Sequence, residues 1–172
     1  MLRAFIAIKL SDELKCHIGE VQAELKRRAF GRDGLGWVRP EGIHLTLRFL
    51  GDIAEEQVEA LGVLLRDAAA GMKPFVLDAR GIGAFPNPQA PRVIWLGLQG
   101  TPESMAALHR MHARVEDGVA GLGFPRESRA FTAHLTLARV RNRQSGAALA
   151  KVLEANQDRA VGSFTADRKS VV

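Results

Sequence analysis

A chain of 172 residues with 47% hydrophobic and 25% charged side chains holds enough apolar material for the core of one domain, or of two small lobes sharing an interface. Such a composition excludes fibrous and intrinsically disordered classes. A single cysteine, Cys16, excludes an intramolecular disulfide, and no apolar run approaches the ~18 residues of a membrane span. Lys9 interrupts the apolar N-terminus too early for a signal peptide, so a soluble cytoplasmic protein is expected. The net charge of +5 comes mainly from 18 arginines against 6 lysines. Arginine's planar fork suits phosphate, although a basic solubilising surface accounts for the bias equally well.

In chain order, Arg3–Lys9 reads as a buried strand. Ser11 is a good helix N-cap with Asp12 and Glu13 in the first turn. The spacing of Leu14, Ile18, Val21 and Leu25 predicts an amphipathic helix over 12–29, with Cys16 half-buried and His17 exposed. Gly31, Gly34 and Gly36 predict a loop, Trp37-Val38 a short extended piece, and Pro40 with Gly42 a turn. Period-two alternation predicts a strand over 43–50, ended by Gly51-Asp52, then a helix over about 54–70. A strand over 75–80 leads into a loop over 81–88, and 92–98 is a second clear strand. Pro102 opens a helix expected to run to about Gly118. A loop over 121–130, an alternating strand over 131–140, a helix over 145–155 and a strand near 160–167 complete the chain. Strands mixed with helices and hairpin-like loops argue for an α+β fold with antiparallel sheets.

Two tetrapeptides are identical: His44-Leu45-Thr46-Leu47 and His134-Leu135-Thr136-Leu137, ninety residues apart. With five His, five Thr and 20 Leu in the chain, two chance copies would arise roughly once in 10⁶ if positions were independent. A lone strand histidine is usually a polar residue on a solvent face, and a lone strand threonine is usually a β-former. The doubling reverses both readings and suggests an internal duplication. In a strand, residues i and i+2 share a face, so His44 and Thr46 look one way while Leu45 and Leu47 anchor the other, and the second motif does the same. If the two strands flank one cleft, two imidazoles and two hydroxyls converge.

That set meets the needs of in-line displacement at a phosphodiester. One neutral histidine takes a proton from the attacking oxygen, and one charged histidine gives a proton to the leaving oxygen. Histidine's ordinary pKa of ~6.5 allows both forms near neutral pH. Threonine hydroxyls can hold the non-bridging oxygens. The scheme needs neither metal nor cofactor.

The sequence resembles the two-histidine (2H) phosphoesterase superfamily, and within it the bacterial and archaeal RNA 2′,3′-cyclic phosphodiesterases, once named 2′-5′ RNA ligases. The likeness runs in order through Arg3–Ile8, Trp37–Gly51, Gly81–Pro86, Val93–Gly97 and Phe131–Arg139, and so covers nearly the whole chain. It implies a bilobal fold with pseudo-twofold symmetry, two antiparallel sheets with flanking helices around a central cleft. Residues 1–172 would form one domain of two intertwined lobes, each contributing one motif strand (43–50 and 131–140). The implied reaction opens a terminal RNA 2′,3′-cyclic phosphate to a 2′-phosphate, on substrates such as tRNA fragments, and some relatives join RNA ends through a 2′-5′ linkage.

The same resemblance makes His44 the proton donor to the departing 3′ oxygen and His134 the acceptor from water, an assignment that the symmetry would allow to be swapped. Thr46, Thr136 and Arg139 would bind phosphate. In a regular strand Arg139 would face away from His134, so a bend must redirect it. Two departures stand out. Ala133 occupies a position usually held by proline, whose ring would stiffen the strand start. Relatives often continue past the point matching Val172, so substrate contacts from such a tail are expected to be missing here. A small cyclic nucleotide or a 2′-5′ oligoadenylate is an alternative substrate, and a non-catalytic RNA-binding module is an alternative role. A monomer is expected.

Arg126, Arg129, Arg139, Arg141 and Arg143 crowd the second motif, opposed only by Glu127, and favour an RNA partner over a plain solvated loop. Phe85 is a candidate for stacking on a base, although packing is the commoner role of such a ring. Trp37 and Trp95 are expected to pack. His109 and His112 lie i, i+3 on a helix without the further ligands a metal site needs. The Gly81-Ile82-Gly83 run lacks the third glycine of a dinucleotide fingerprint.

Overall fold

Ser11 begins the first helix as its sequence predicts, its hydroxyl accepting a hydrogen bond from the Leu14 N–H at 3.2 Å. The computed structural model describes residues 1–29, 34–141 and 146–172. Its elements are β1 (Leu2–Lys9), α1 (Asp12–Ala29), β2 (Leu35–Trp37), β3 (His44–Ile53), α2 (Gln57–Ala68), β4 (Phe75–Phe85), β5 (Val93–Gln99), α3 (Pro102–Gly121), β6 (His134–Val140), α4 (Gly146–Ala155) and β7 (Ala160–Ala166), with a 3-10 turn at Pro40–Gly42. The fold is α+β. β1 and β3 form a two-stranded sheet, and the other strands form a five-stranded sheet in the order β2-β6-β5-β4-β7. Every strand pair in both is antiparallel.

The two sheets share one hydrophobic core. Leu45 and Leu47 from the first motif join Leu135 and Leu137 from the second, none more than 4% exposed, together with α1, α3 and α4 residues such as Ile18, Leu108 and Leu153. Burying each such side chain contributes ~1.5–3 kcal/mol, so the leucines of the repeat have ample structural reason to be there. β3 and β6 lie against each other although they belong to different sheets. The free edge of β1 is also covered: Ala7 and Lys9 donate backbone hydrogen bonds to Val172 (2.9 Å) and Ser170 (2.8 Å), and Val172 donates to Ala7 (2.9 Å).

Several sequence expectations are corrected. The loop expected over 81–88 is strand as far as Phe85: β4 continues through Gly81, at φ +83°, where a Cβ would sit 2.7 Å from the Gln157 carbonyl oxygen. There glycine extends the strand instead of ending it, because only glycine fits that backbone angle and that approach. Trp37 is extended as expected, but its strand, β2, paired with β6, begins at Leu35 and takes in Gly36, where a loop was expected; Gly31 lies outside the described residues. Gly51-Asp52 does not end β3, which pairs on to Leu2↔Ile53. The second motif strand starts at His134, not at 131, since pairing with β5 begins at Gly97↔His134. Cys16 is exposed and His17 half-buried, the reverse of expectation. Cys16 is two residues from both Leu14 and Ile18, which puts it about 200° round the helix from the buried stripe.

Candidate active site

Each motif strand repeats the other in burial as well as in sequence. Over His44–Leu50 and over His134–Val140 the pattern is the same: half-buried, buried, half-buried, buried, buried, exposed, half-buried. The two successive buried residues mark an irregularity at the same place in both. In β3 the pairing jumps from Ala7↔Thr46 to Ile6↔Arg48, leaving Leu47 extra. In β6 it jumps from Trp95↔Thr136 to Ile94↔Ala138, leaving Leu137 extra. A bulge of one residue resets the alternation. Arg139, five residues after His134 and on the opposite face of a regular strand, is thereby turned to the same side as His134. The displaced Leu137 carbonyl is satisfied from outside the ladder, accepting from the Val38 N–H at 2.9 Å and from Nε2 of the buried Gln22 at 3.1 Å.

The consequence is one cleft of about 600 Å³ whose wall includes His44, Thr46, His134, Thr136, Arg139 and Phe85 together. His134 is oriented by the backbone two residues upstream, where the Thr132 carbonyl lies 2.7 Å from Nδ1. A carbonyl only accepts, so Nδ1 carries the proton and Nε2 of the neutral ring holds a free lone pair. His44 has the matching arrangement, a hydrogen bond with the Gly42 backbone that favours its charged form, but burial outweighs it and Lys15 adds to the depression, so the ring is held below the ordinary imidazole range. The His44 ring also lies flat on Phe5, with centroids 4.4 Å apart and planes at 7°. Phe85 meets His134 edge-on at 5.0 Å and contacts Trp95 at 5.3 Å.

Not every arginine near the second motif reaches the cleft. Arg129 and Arg139 line it. Arg126 pairs instead with Asp117 at 2.9 Å on the surface, Arg141 is exposed beside Gly36, and Arg143 lies outside the described residues. Arg48, Phe49 and Arg92 line the cleft without having been singled out in the sequence, and His112, weighed there only as a metal ligand, lines it too. Phe49 had a legible signal, since it stands at the same offset from His44 as Arg139 from His134. It is 57% exposed, a large apolar surface left open to the cleft. Arg92 and His112 carried none, because β5 and α3 reach the cleft only through the tertiary fold. His112 stacks on Phe131 (4.1 Å, 12°), and His109 meets the same ring edge-on at 5.9 Å. Trp95 packs as expected, with Nε1 buried and unpartnered, and Trp37 lies under the Lys26 ammonium at 5.4 Å. Among the described residues no three His, Cys, Asp or Glu side chains gather at a spacing that would hold a metal ion, and no helix is long and apolar enough to cross a membrane.

Two imidazoles, two hydroxyls and the Arg139 guanidinium around a single cavity are the side-chain set expected of a phosphoesterase of the two-histidine class. The chain belongs to the LigT-like phosphoesterase family, whose model matches residues 8–95 and 100–172. Among curated relatives, an RNA 2′,3′-cyclic phosphodiesterase of Methanothermobacter thermautotrophicus is 34% identical over 170 residues, covering 99% of this chain and 88% of that one. Another protein of that name, from Aeropyrum pernix, is 37% identical over 126 residues, 73% of this chain and 69% of its own. Solved structures agree. TT0787 of Thermus thermophilus superposes with a TM-score of 0.76 at 26% identity, covering 96% of this chain and 84% of that one. E. coli LigT complexed with 3′-AMP superposes with a TM-score of 0.70 at 25% identity, covering 95% and 83%.

Proposed function

We propose that the cleft opens the 2′,3′-cyclic phosphate at an RNA end to a 2′-phosphate by acid–base catalysis from His44 and His134, without a metal ion. The observation that carries this reading is the meeting of both His/Thr pairs at one cavity, with the Nε2 lone pair of His134 left free by its Nδ1 hydrogen bond. Water attacks phosphorus as His134 Nε2 takes its proton. The bond from phosphorus to the 3′ oxygen breaks in line, and His44 protonates that oxygen. The step leaves His44 neutral and His134 charged, and exchange with solvent restores both. Thr46 and Thr136 donate to the non-bridging oxygens, and Arg139 holds the phosphate charge. The ring of His44 is depressed by burial in the free protein, and an arriving anionic diester reverses that direction by placing negative charge beside it.

The names of the relatives support the substrate class, as does the presence of 3′-AMP with E. coli LigT. The arginines at the cleft, Arg92, Arg129 and Arg139, suit a phosphate-rich chain such as a tRNA fragment. An RNA 5′-hydroxyl in place of water would give a 2′-5′ linkage by the same proton transfers. The test is to incubate the protein, in EDTA, with an RNA ending in a 2′,3′-cyclic phosphate and, separately, with a cyclic mononucleotide. The expected product is the RNA 2′-monophosphate, formed faster than any mononucleotide product. A 3′-monophosphate product, or loss of turnover on adding EDTA, would overturn the mechanism.

A further inference from the structure

Arg48 lines the cleft, yet the proposed chemistry gives it no part. It stands four residues after His44 on β3, is 8% exposed, and occupies the place that Ala138 holds on β6. A guanidinium so far from water persists only where its charge is compensated. Arg48 Nε lies 3.1 Å from Glu116 Oε1 on α3, a contact of opposite charges in which neither atom has a hydrogen-bond partner; one terminal nitrogen lies 3.4 Å from Glu127 Oε2, and the other donates to the Pro125 carbonyl. Glu116 reaches the same segment, its Oε2 accepting from the Glu127 N–H at 3.3 Å, and Glu127 Oε1 accepts from the Arg129 N–H at 3.2 Å. Residues 125–129 belong to neither helix nor strand. The buried Arg48–Glu116 pair holds them from beneath, and the exposed Arg126–Asp117 pair adds a contact at the surface.

That segment runs directly into Thr132, whose carbonyl fixes the proton on His134. The two histidines differ here. Gly42, which serves His44, sits in a hydrogen-bonded 3-10 turn, with its own N–H on Arg39 and the Ile43 N–H on Pro40. Thr132 has no such turn beneath it. We infer that Arg48 is a positioning residue that reaches from the first motif strand to the loop ahead of the second and so sets the orientation and tautomer of His134. The catalytic consequence rests on the reading of His134 as the base, while the structural link stands apart from it. The brace also works one way only, since Ala138 has no donors to return it.

Arg48→Met keeps the volume and removes the donors. Glu127→Ala removes a carboxylate that is 45% exposed and leaves the Arg48–Glu116 pair in place. In both, ¹⁵N NMR of His134 is expected to move from a single Nδ1–H tautomer to a mixture, and amide exchange over 126–132 to quicken about tenfold. With cyclic-phosphate RNA, kcat falls by about 10²-fold in Arg48→Met and by less in Glu127→Ala, while KM changes less than kcat. Either variant keeping the wild-type tautomer and kcat would overturn the inference. So would a rise in KM alone, which would make Arg48 a substrate-binding cation. If Arg48→Met fails to fold, Glu127→Ala decides by the same measures. The NMR and exchange readouts need no substrate, so a wild-type protein that does not open the cyclic phosphate, but whose His134 responds to Arg48→Met, would sink the functional reading and leave the brace standing.

Discussion

Phe49 and Arg139 occupy the same backbone position on the two motif strands, five residues beyond His44 and His134, and matching bulges at Leu47 and Leu137 bring both to the wall of one cleft. Two strands alike in their first four residues and in burial thus present an aromatic ring on one side and a cation on the other. The cleft is symmetric in its two His/Thr pairs and asymmetric in the residue that follows each histidine by five.

That polarity separates two variants. Phe49→Ala is expected to raise KM for a nucleotide substrate by roughly 5- to 150-fold, the loss of ~1–3 kcal/mol of base stacking, and to leave inhibition by inorganic phosphate unchanged. Arg139→Ala is expected to weaken both by roughly 10- to 100-fold, as a charged hydrogen bond worth ~1.5–3 kcal/mol is lost. Steady-state kinetics with phosphate as competitor distinguish them. Equal loss of phosphate inhibition in the two variants would refute the division of labour.

His44→Ala and His134→Ala are each expected to lower kcat by ~10²–10⁴-fold with little change in urea midpoint, since both rings are only half-buried and the motif leucines remain in the core. Thr46→Val and Thr136→Val should fall by a comparable ~10²–10³-fold if each hydroxyl holds developing charge. A His134→Ala variant at full rate would end the two-histidine mechanism.

The pH dependence follows from His44. Burial, aided by Lys15, sets its folded pKa below the ordinary 6.5. The unfolded chain therefore binds the proton more readily, so this group costs stability as pH falls from about 6.5 through its folded pKa and costs nothing above that window. His112 is lowered in the same direction, also chiefly by burial. NMR titration should place His44 below 6.5 in the free protein and higher with inorganic phosphate bound. Phe5→Ala, which uncovers the ring stacked at 4.4 Å, should return it toward the ordinary value. An unshifted His44 in the wild type would contradict the packing described.

Gly83→Ala tests the floor beneath His134. An added Cβ would stand 2.4 Å from Trp95 Cζ2, and Trp95 contacts the Phe85 ring that meets His134 edge-on. Overpacking of this kind costs about 1–3 kcal/mol. A matching shift in urea midpoint, with a lower kcat, is expected, and an unaffected midpoint would show that the indole moves aside freely.

The amino-acid order alone determined the doubled motif, the sharing of a face by each His/Thr pair, the amphipathic α1 and the mixture of strands with helices. These are local matters, dictated by the period of a strand or helix and by the chemistry of neighbouring side chains. Tertiary structure decided the rest. Alternation in the sequence turned Arg139 away from His134, and only pairing with β5 introduces the extra residue at Leu137 that turns it back. Gly81 read as a stop because its partner, the Gln157 carbonyl, lies 76 residues further on. Arg48 looked like an ordinary strand residue because Glu116, Pro125 and Glu127, the groups that make its burial tolerable, are brought to it from 68 to 79 residues away. A register shift and a buried charge network are both properties of the partner chain segment, and a single strand read by itself carries neither.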